Sequence, residues 1–268
     1  MNGLGDRAAA PVDGTLDDWV RIADGNLSTV YRLKLRDGRI MVVKVAATAA
    51  NEAAMLKAIR GSGAPCPEVF GSADDLVVME EVRSDGALCG SAWASLATSM
   101  SMLHEIAATN YGWPIDHASG AVAISNDSCD SWPIFWADRR LRCHLSSLEP
   151  ALAERVERVA ETIGEYLPAH PKPSLLHGDL WDGNILVSGR EVAALIDPAC
   201  YYGHREVDVA MLKLFRDPPM PFFAALDLER GWRQRLPLYR LWPALVHLRL
   251  FGSIYAGLVS RTLDEIGA

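Results

Sequence analysis

The stretch Leu175-Leu176-His177-Gly178-Asp179-Leu180-Trp181-Asp182-Gly183-Asn184-Ile185-Leu186 sets a polar core between apolar flanks, with Asp179 and Asn184 five residues apart. A second apolar run, Val192-Ala193-Ala194-Leu195-Ile196, then delivers another carboxylate at Asp197. Phosphoryl transfer needs this set: one carboxylate to orient the attacking hydroxyl, and a carboxamide and second carboxylate to hold cations that bridge phosphates. Asp179, Asn184 and Asp197 are the candidates for those roles. The tripeptide His177-Gly178-Asp179 alone reads better as a turn with a capping Asp. The longer order separates the two readings.

His-x-Asp, Asn five residues later and a short hairpin ending in Asp resemble the catalytic and metal loops of the protein-kinase-like fold. Protein kinases place Arg after the His; Gly178 stands there in this chain and points to the small-molecule branch. The resemblance implies an α+β, two-lobed fold. Its small antiparallel-sheet lobe with one helix would span residues 1–82, and a larger, mainly helical lobe would span 83–268, with about the first 14 residues outside the ordered fold.

The upstream sequence agrees with a strand-rich lobe. Trp19-Val20-Arg21-Ile22 alternates, Asp24-Gly25-Asn26 interrupts, residues 28–35 alternate again, and Asp37-Gly38 turns into the run 39–45. Three antiparallel strands are expected. The first turn, with Gly25 and Ser28, is the candidate phosphate loop, although it lacks GxGxxG and reads as well as a plain hairpin. Met41-Val42-Val43-Lys44-Val45 puts a cation among strand residues that ought to be buried, which is costly without a partner. Glu52, in a helical stretch ending near Gly61, is the candidate partner, and the two together would hold nucleotide phosphates. An edge lysine facing water is the plainer alternative. Residues 68–71 and 76–80 read as two further strands, and the polar composition after them marks the lobe boundary. The resemblance to kinase-like folds implies an adenine hinge there, with Glu80 and Val82 as candidate contacts, and an ordinary linker explains the composition equally well.

Beyond the hinge, 92–108, 132–148 and 151–167 read as helices, the first with Leu96, Met100 and Leu103 on one face. After Asp197-Pro198-Ala199 comes Tyr202-Gly203-His204-Arg205-Glu206-Val207-Asp208. Taken with His177-Gly178-Asp179-Leu180-Trp181 and Gly183-Asn184, this resembles the fructosamine (ketosamine) kinase family, from Gly25 onward and most strongly over residues 175–211. The closing segment from Leu238-Tyr239 through Leu250-Phe251-Gly252 to Tyr255 resembles that family as well.

The resemblance implies ATP-dependent phosphorylation of a sugar hydroxyl on a ketosamine, the adduct a reducing sugar leaves on an amine. Asp179 would be the catalytic base, Asn184 and Asp197 the Mg2+ ligands, and Lys44 with Glu52 the pair on ATP. Trp181, Tyr202, His204 and Glu206 would contact the acceptor; a structural Trp and a Glu206–Arg205 loop bridge are the alternatives, and Asp208 would brace the catalytic loop. The chain departs from the family at Asp24-Gly25, where paired glycines are usual, in having no cysteine in that loop, and at Val246, where Asn usually precedes His. Asp197-Pro198-Ala199 lacks the Phe of DFG and so gives no sign of an activation-loop switch.

The 268 residues, half of them apolar, carry a formal charge of -8, which argues against nucleic-acid binding. Five widely spaced cysteines make no CxxC or metal cluster and suit free thiols in a reducing, cytoplasmic setting. No apolar run follows basic residues at the start, and Pro243, His247 and Arg249 interrupt the most apolar late stretch, so a membrane partner is not expected. The expected partner is a small ketosamine or glycated amine, with glycated protein as a further candidate, acted on by a monomer or homodimer. The rival readings are an aminoglycoside or amino-alcohol phosphotransferase, an inactive nucleotide sensor and a protein kinase.

Overall fold

The computed structural model describes Asn2–Asp24 and Ser28–Ala268. In chain order its elements are α1 (Asn2–Ala9), β1 (Leu16–Asp24), β2 (Thr29–Leu35), β3 (Ile40–Val45), α2 (Ala49–Gly61), β4 (Val69–Ala73), β5 (Leu76–Glu80) and α3 (Ala92–Glu105). There follow β6 (His117–Ser119), β7 (Val122–Ile124), α4 (Trp132–Trp136), α5 (Pro150–Thr162), β8 (Ser174–Leu176), β9 (Ile185–Ser188), β10 (Glu191–Leu195) and β11 (Tyr201–Gly203). The chain closes with α6 (Glu206–Phe215), α7 (Met220–Ala225), α8 (Trp232–Phe251) and α9 (Ala256–Ile266). Two compact units result, one of residues 1–99 with 183–198, the other of 100–182 with 199–268.

The first unit is built on a five-stranded antiparallel sheet in the order β1-β2-β3-β5-β4. Alternation sends Leu33, Leu35, Met41, Val43, Leu76 and Val78 to one face. There they meet Ala8, Ala9 and Val12, so the first turns of chain are helix packed on the sheet and not a loose start. The sequence gives little sign of this, because Leu4 and the small alanines stand among Gly, Asp and Pro without a helical stripe. The opposite face carries α2, which packs on β4 and β5.

The hairpin β9–β10 joins this unit through main-chain and side-chain bonds. Asp85 and Gly86 N–H both donate to the Val187 carbonyl, Gly189 N–H donates to Asp85 Oδ1, and Leu195 N–H donates to the Pro65 carbonyl. Val192 N–H adds a bond to Ser95 Oγ. The segment after β5 therefore serves as a splint for the hairpin.

The second unit is mainly helical, with a core of rings from Tyr111, Trp132, Phe135, Trp136, Tyr201, Tyr239 and Trp242. The helix expected over 132–148 is broken: α4 gives way to a π turn at Ala137–Leu141 and a 3-10 segment at Arg142–Ser147. Arg140, on the π turn, is fully buried with its guanidinium 4.3 to 4.7 Å from the ring centres of Phe135, Tyr201 and Trp242. A helix interruption of this kind re-aims one side chain, and here it delivers a cation into an aromatic cage. Among the described residues no helix is long and apolar enough to cross a membrane.

Candidate active site

In the first unit, β3 delivers Lys44 and the first turn of α2 delivers Glu52, both buried. Lys44 Nζ lies 2.7 Å from Glu52 Oε2 and 2.9 Å from Asp197 Oδ1. One ammonium thus serves two carboxylates. Burial works against the charged lysine, but the two carboxylates outweigh it and raise the Lys44 pKa. Glu52 is also pushed up, by burial first, against the pull of Lys44 and with added repulsion from Asp197. Its second oxygen, Oε1, is buried without a hydrogen bond. The paired reading of Lys44 holds over the edge-lysine reading.

Asn184 and Asp197 flank the β9–β10 hairpin, and Ile196 N–H donates to the Asn184 carbonyl at 3.0 Å, closing the hairpin's open end. Asp197 follows directly, with φ at +53°, a left-handed backbone that a non-glycine residue adopts at a cost of about 1–2 kcal/mol. The strand bond before it and the Lys44 contact hold it there. Half of its side chain remains open to solvent, while Asn184 is buried. Two hard oxygen donors with room for water suit magnesium, which binds one or two protein groups and keeps several waters. No cluster of three or more His, Cys, Asp or Glu residues that would make an all-protein metal cage occurs among the described residues.

In the second unit the stretch carrying Asp179 leaves β8 at His177 and runs into a tight turn in which Trp181 N–H donates to the Asp179 carbonyl at 3.2 Å. The turn lies along α6 and is held at both ends of that helix. At the start of α6, Asp208 is fully buried and accepts from His177 N–H and Gly178 N–H, each at 2.9 Å. Its Oδ2 also takes the Nε2–H of His104, from the last turn of α3, at 2.9 Å. Burial opposes the Asp208 charge, yet His104 and the loop donors prevail and hold its carboxyl below the usual range. At the far end of α6, Phe215 meets Trp181 edge-on, with ring centres 6.1 Å apart, and Arg216 Nε lies 3.3 Å from Asp182 Oδ2.

Gly178 explains itself in this setting. Its φ is +81°, and a Cβ there would stand 2.0 Å from the Ala199 carbonyl oxygen, so neither Arg nor Ala fits this backbone.

The other expected site residues are distributed as follows. Glu80 pairs with Met41 across the sheet, and its carboxylate accepts from Glu68 N–H at 3.2 Å; Val82 is half-buried in the segment after β5. Ser28 is half-buried before β2, and Gly25 lies outside the described residues. Tyr202 is half-buried on β11 with its ring 5.7 Å from that of Trp113. His204 and Glu206 are interior. His204 Nδ1 bonds the Tyr239 hydroxyl at 2.7 Å, and burial together with nearby Arg235 and Arg205 takes its pKa down to about 3. Glu206 makes a two-point bridge to Arg235, at 2.8 and 2.5 Å, while Arg205 turns to the Asp227 carbonyl. Sequence reading missed His104, Arg235, Phe215 and Arg216. His104, Phe215 and Arg235 are ordinary helix residues and Arg216 follows the end of α6, so only its contact gives each a role.

The sequence model of fructosamine kinase matches residues 14–268. A Synechocystis protein that carries the name of a ketoamine kinase is 36% identical over 186 residues, which is 65% of this chain and 61% of that protein. The matches span between 56% and 65% of the length of the curated relatives. A solved Thermobifida fusca protein bearing the name fructosamine-3-kinase superposes with a TM-score of 0.91 at 28% identity, covering 99% of both chains. An aminoglycoside phosphotransferase solved with AMP-PNP and hygromycin B shares the fold at a TM-score of 0.62 and 17% identity, over 94% of this chain and 90% of that one. The expected kinase-like α+β fold is thereby shown, and the match over nearly the whole length means that the chain belongs to the fructosamine kinase family.

Proposed function

We propose that the protein transfers the γ-phosphoryl group of ATP to a sugar hydroxyl of a ketosamine. The observation that carries this reading is the buried Lys44 clasped by Glu52 and Asp197. The cluster as it stands carries one positive and two negative charges, so it would receive phosphate only together with magnesium, with Asp197 drawn to the metal and the Lys44 charge left to the nucleotide. Lys44 would move its charge onto the ATP phosphates, with Glu52 fixing its direction. Asn184 and Asp197 would hold magnesium, which when bound supplies charge neutralisation at the phosphates.

Asp179 would accept the proton of the acceptor hydroxyl as that oxygen attacks the γ-phosphorus. The bond from the γ-phosphorus to the bridging oxygen then breaks, leaving ADP and a sugar phosphate. Holding Asp179 by main-chain bonds to the residues before it suits a reaction in which positioning does most of the catalysis. Trp181 and Tyr202 are proposed acceptor contacts. His204 and Glu206, with their interior partners Tyr239 and Arg235, are proposed to support β11 and Tyr202 from below. Glu80 and Val82 are proposed to lie at the adenine, and Gly25 and Ser28 at the phosphates. The acceptor is proposed to be a small ketosamine in the cytoplasm, with glycated protein a further substrate; no nucleic-acid or membrane partner is proposed.

The test is magnesium-dependent ATP consumption against ribulosamines, erythrulosamines, fructosamines and aminoglycosides. Turnover on ketosamines supports the reading. Turnover confined to aminoglycosides keeps the fold and discards the acceptor, and ATP binding without turnover on any acceptor favours a sensor.

A further inference from the structure

Five large aromatic side chains are solvent-exposed among the described residues: Phe70, Tyr166, Trp181, Phe215 and Phe251. Three of them, Trp181, Phe215 and Phe251, belong to one continuous cluster in the second unit. From Trp181 the rings run to Phe215, then 5.2 Å to His247, which lies 5.6 Å from Phe251 and 5.1 Å from Tyr255; Phe251 and Tyr255 are 5.7 Å apart. The exposures of Trp181, Phe215 and Phe251 are 37%, 41% and 45%, and Ile254 beside them is 82% exposed. Contiguous exposed apolar surface of this kind is uncommon on a folded protein unless it meets something.

The cluster begins two residues after Asp179, inside the same tight turn, so its occupant is fixed by continuity with the proposed acceptor site. At the loop end of the shelf, Asp182 is bridged to Arg216 while Trp181 rests on Phe215. His247 at its centre donates Nδ1–H to the Pro243 carbonyl at 2.8 Å, and burial lowers its pKa, so the ring sits in the shelf uncharged. Asp182 has its charge matched within the protein. A shelf of neutral rings takes flat apolar groups in offset or edge-on contact.

We propose that the rings of Trp181, Phe215, His247, Phe251 and Tyr255 form the subsite for the amine-side group of the substrate, and that they select ketosamines of aromatic amines over those of simple alkyl amines carrying the same sugar. This inference rests on the ketosamine kinase reading and adds the class of amine to it.

The experiment is a comparison of kcat/KM on two adducts of one sugar, those of benzylamine and of propylamine, for the natural protein and for Phe251→Ser and Phe251→Tyr. Phe251 is at the surface end of α8, so both replacements leave the interior untouched. The natural protein is expected to favour the benzylamine adduct about tenfold, the size of discrimination a modest apolar contact supplies. Phe251→Ser is expected to bring the ratio to within about twofold of unity, and Phe251→Tyr to restore it. Equal turnover of the two adducts by the natural protein, or a ratio unmoved in Phe251→Ser, overturns the shelf while leaving the kinase reading in place. Failure of every ketosamine, aromatic or alkyl, overturns both.

Discussion

The two clusters of candidate residues, one in each unit, are held by different chemistry. In the first unit, Lys44, Glu52 and Asp197 position one another through their own charges, side chain to side chain. In the second, the loop carrying Asp179 is positioned through its backbone, by a carboxylate that contacts neither end of the reaction: Asp208 takes two main-chain N–H groups and the His104 ring. In the proposed nucleotide half, Asp197 is half open to solvent while Lys44 and Glu52 are buried. In the proposed acceptor half, the loop is tied down by buried main-chain bonds to Asp208.

The comparison breaks most sharply at Asp208. Asp208→Ala leaves two buried N–H groups and His104 without their acceptor and is expected to lower stability by about 4 kcal/mol. Chemical denaturation gives this number, and an ATP affinity within about twofold of the natural value would place the damage in the acceptor half alone. Gly178→Ala probes the same loop by sterics. With a positive φ and a carbonyl in the way, it is expected to cost about 3 kcal/mol and to lower kcat with little change in the KM for ATP. Lys44→Met acts on the other half. Glu52, whose pKa is already raised, can take up a proton when its cation leaves, so the expected stability loss is only about 2 kcal/mol. Binding of ATP should weaken more than about tenfold, measured by titration calorimetry. Loss of acceptor turnover in Lys44→Met with unchanged ATP affinity would erase the distinction between the halves.

Acid provides a finer probe of the second unit. His144 is buried, and burial with the Arg249 and Arg140 charges takes its pKa from 6.5 to about 3. The unfolded chain therefore binds a proton at this site between those values while the folded chain does not, so stability is lost as pH falls below 6.5. From pH 7 to pH 5 the loss from this one ring is about 2 kcal/mol. His144→Gln lacks the titrating ring, so the stability difference between it and the natural protein is expected to shrink by about that amount over the interval. A difference independent of pH would mean that His144 is protonated in the fold.

How much of this was legible follows the same division. Lys44 announces itself because a charged side chain within apolar strand sequence is costly, and Glu52, Asn184 and Asp197 are found by their spacing from Lys44 and Asp179. The sheet and the hairpin follow from alternation and turn residues. The acceptor half was only partly readable. Asp179 and Trp181 stand out in their motif, but the groups that hold them, His104, Phe215 and Arg216, lie on distant helices and acquire meaning only when packed. His204 and Glu206 look like surface chemistry in the sequence, since nothing local shows that Tyr239 and Arg235 will close over them. The N-terminal helix was hidden for a related reason: small alanines are a weak apolar signal alone and a good fit only once a sheet face exists to receive them.

The most direct test of the account is the fate of the transferred phosphate in the presence of Mg-ATP and a fructosamine, followed by phosphorus NMR for the natural protein and Asp179→Asn. The account predicts a new sugar phosphate monoester signal that grows with ADP, and a rate lower by about a thousandfold in the variant while ATP still binds. A monoester forming at an undiminished rate in Asp179→Asn, or ATP hydrolysed to free phosphate with no sugar product, would contradict it.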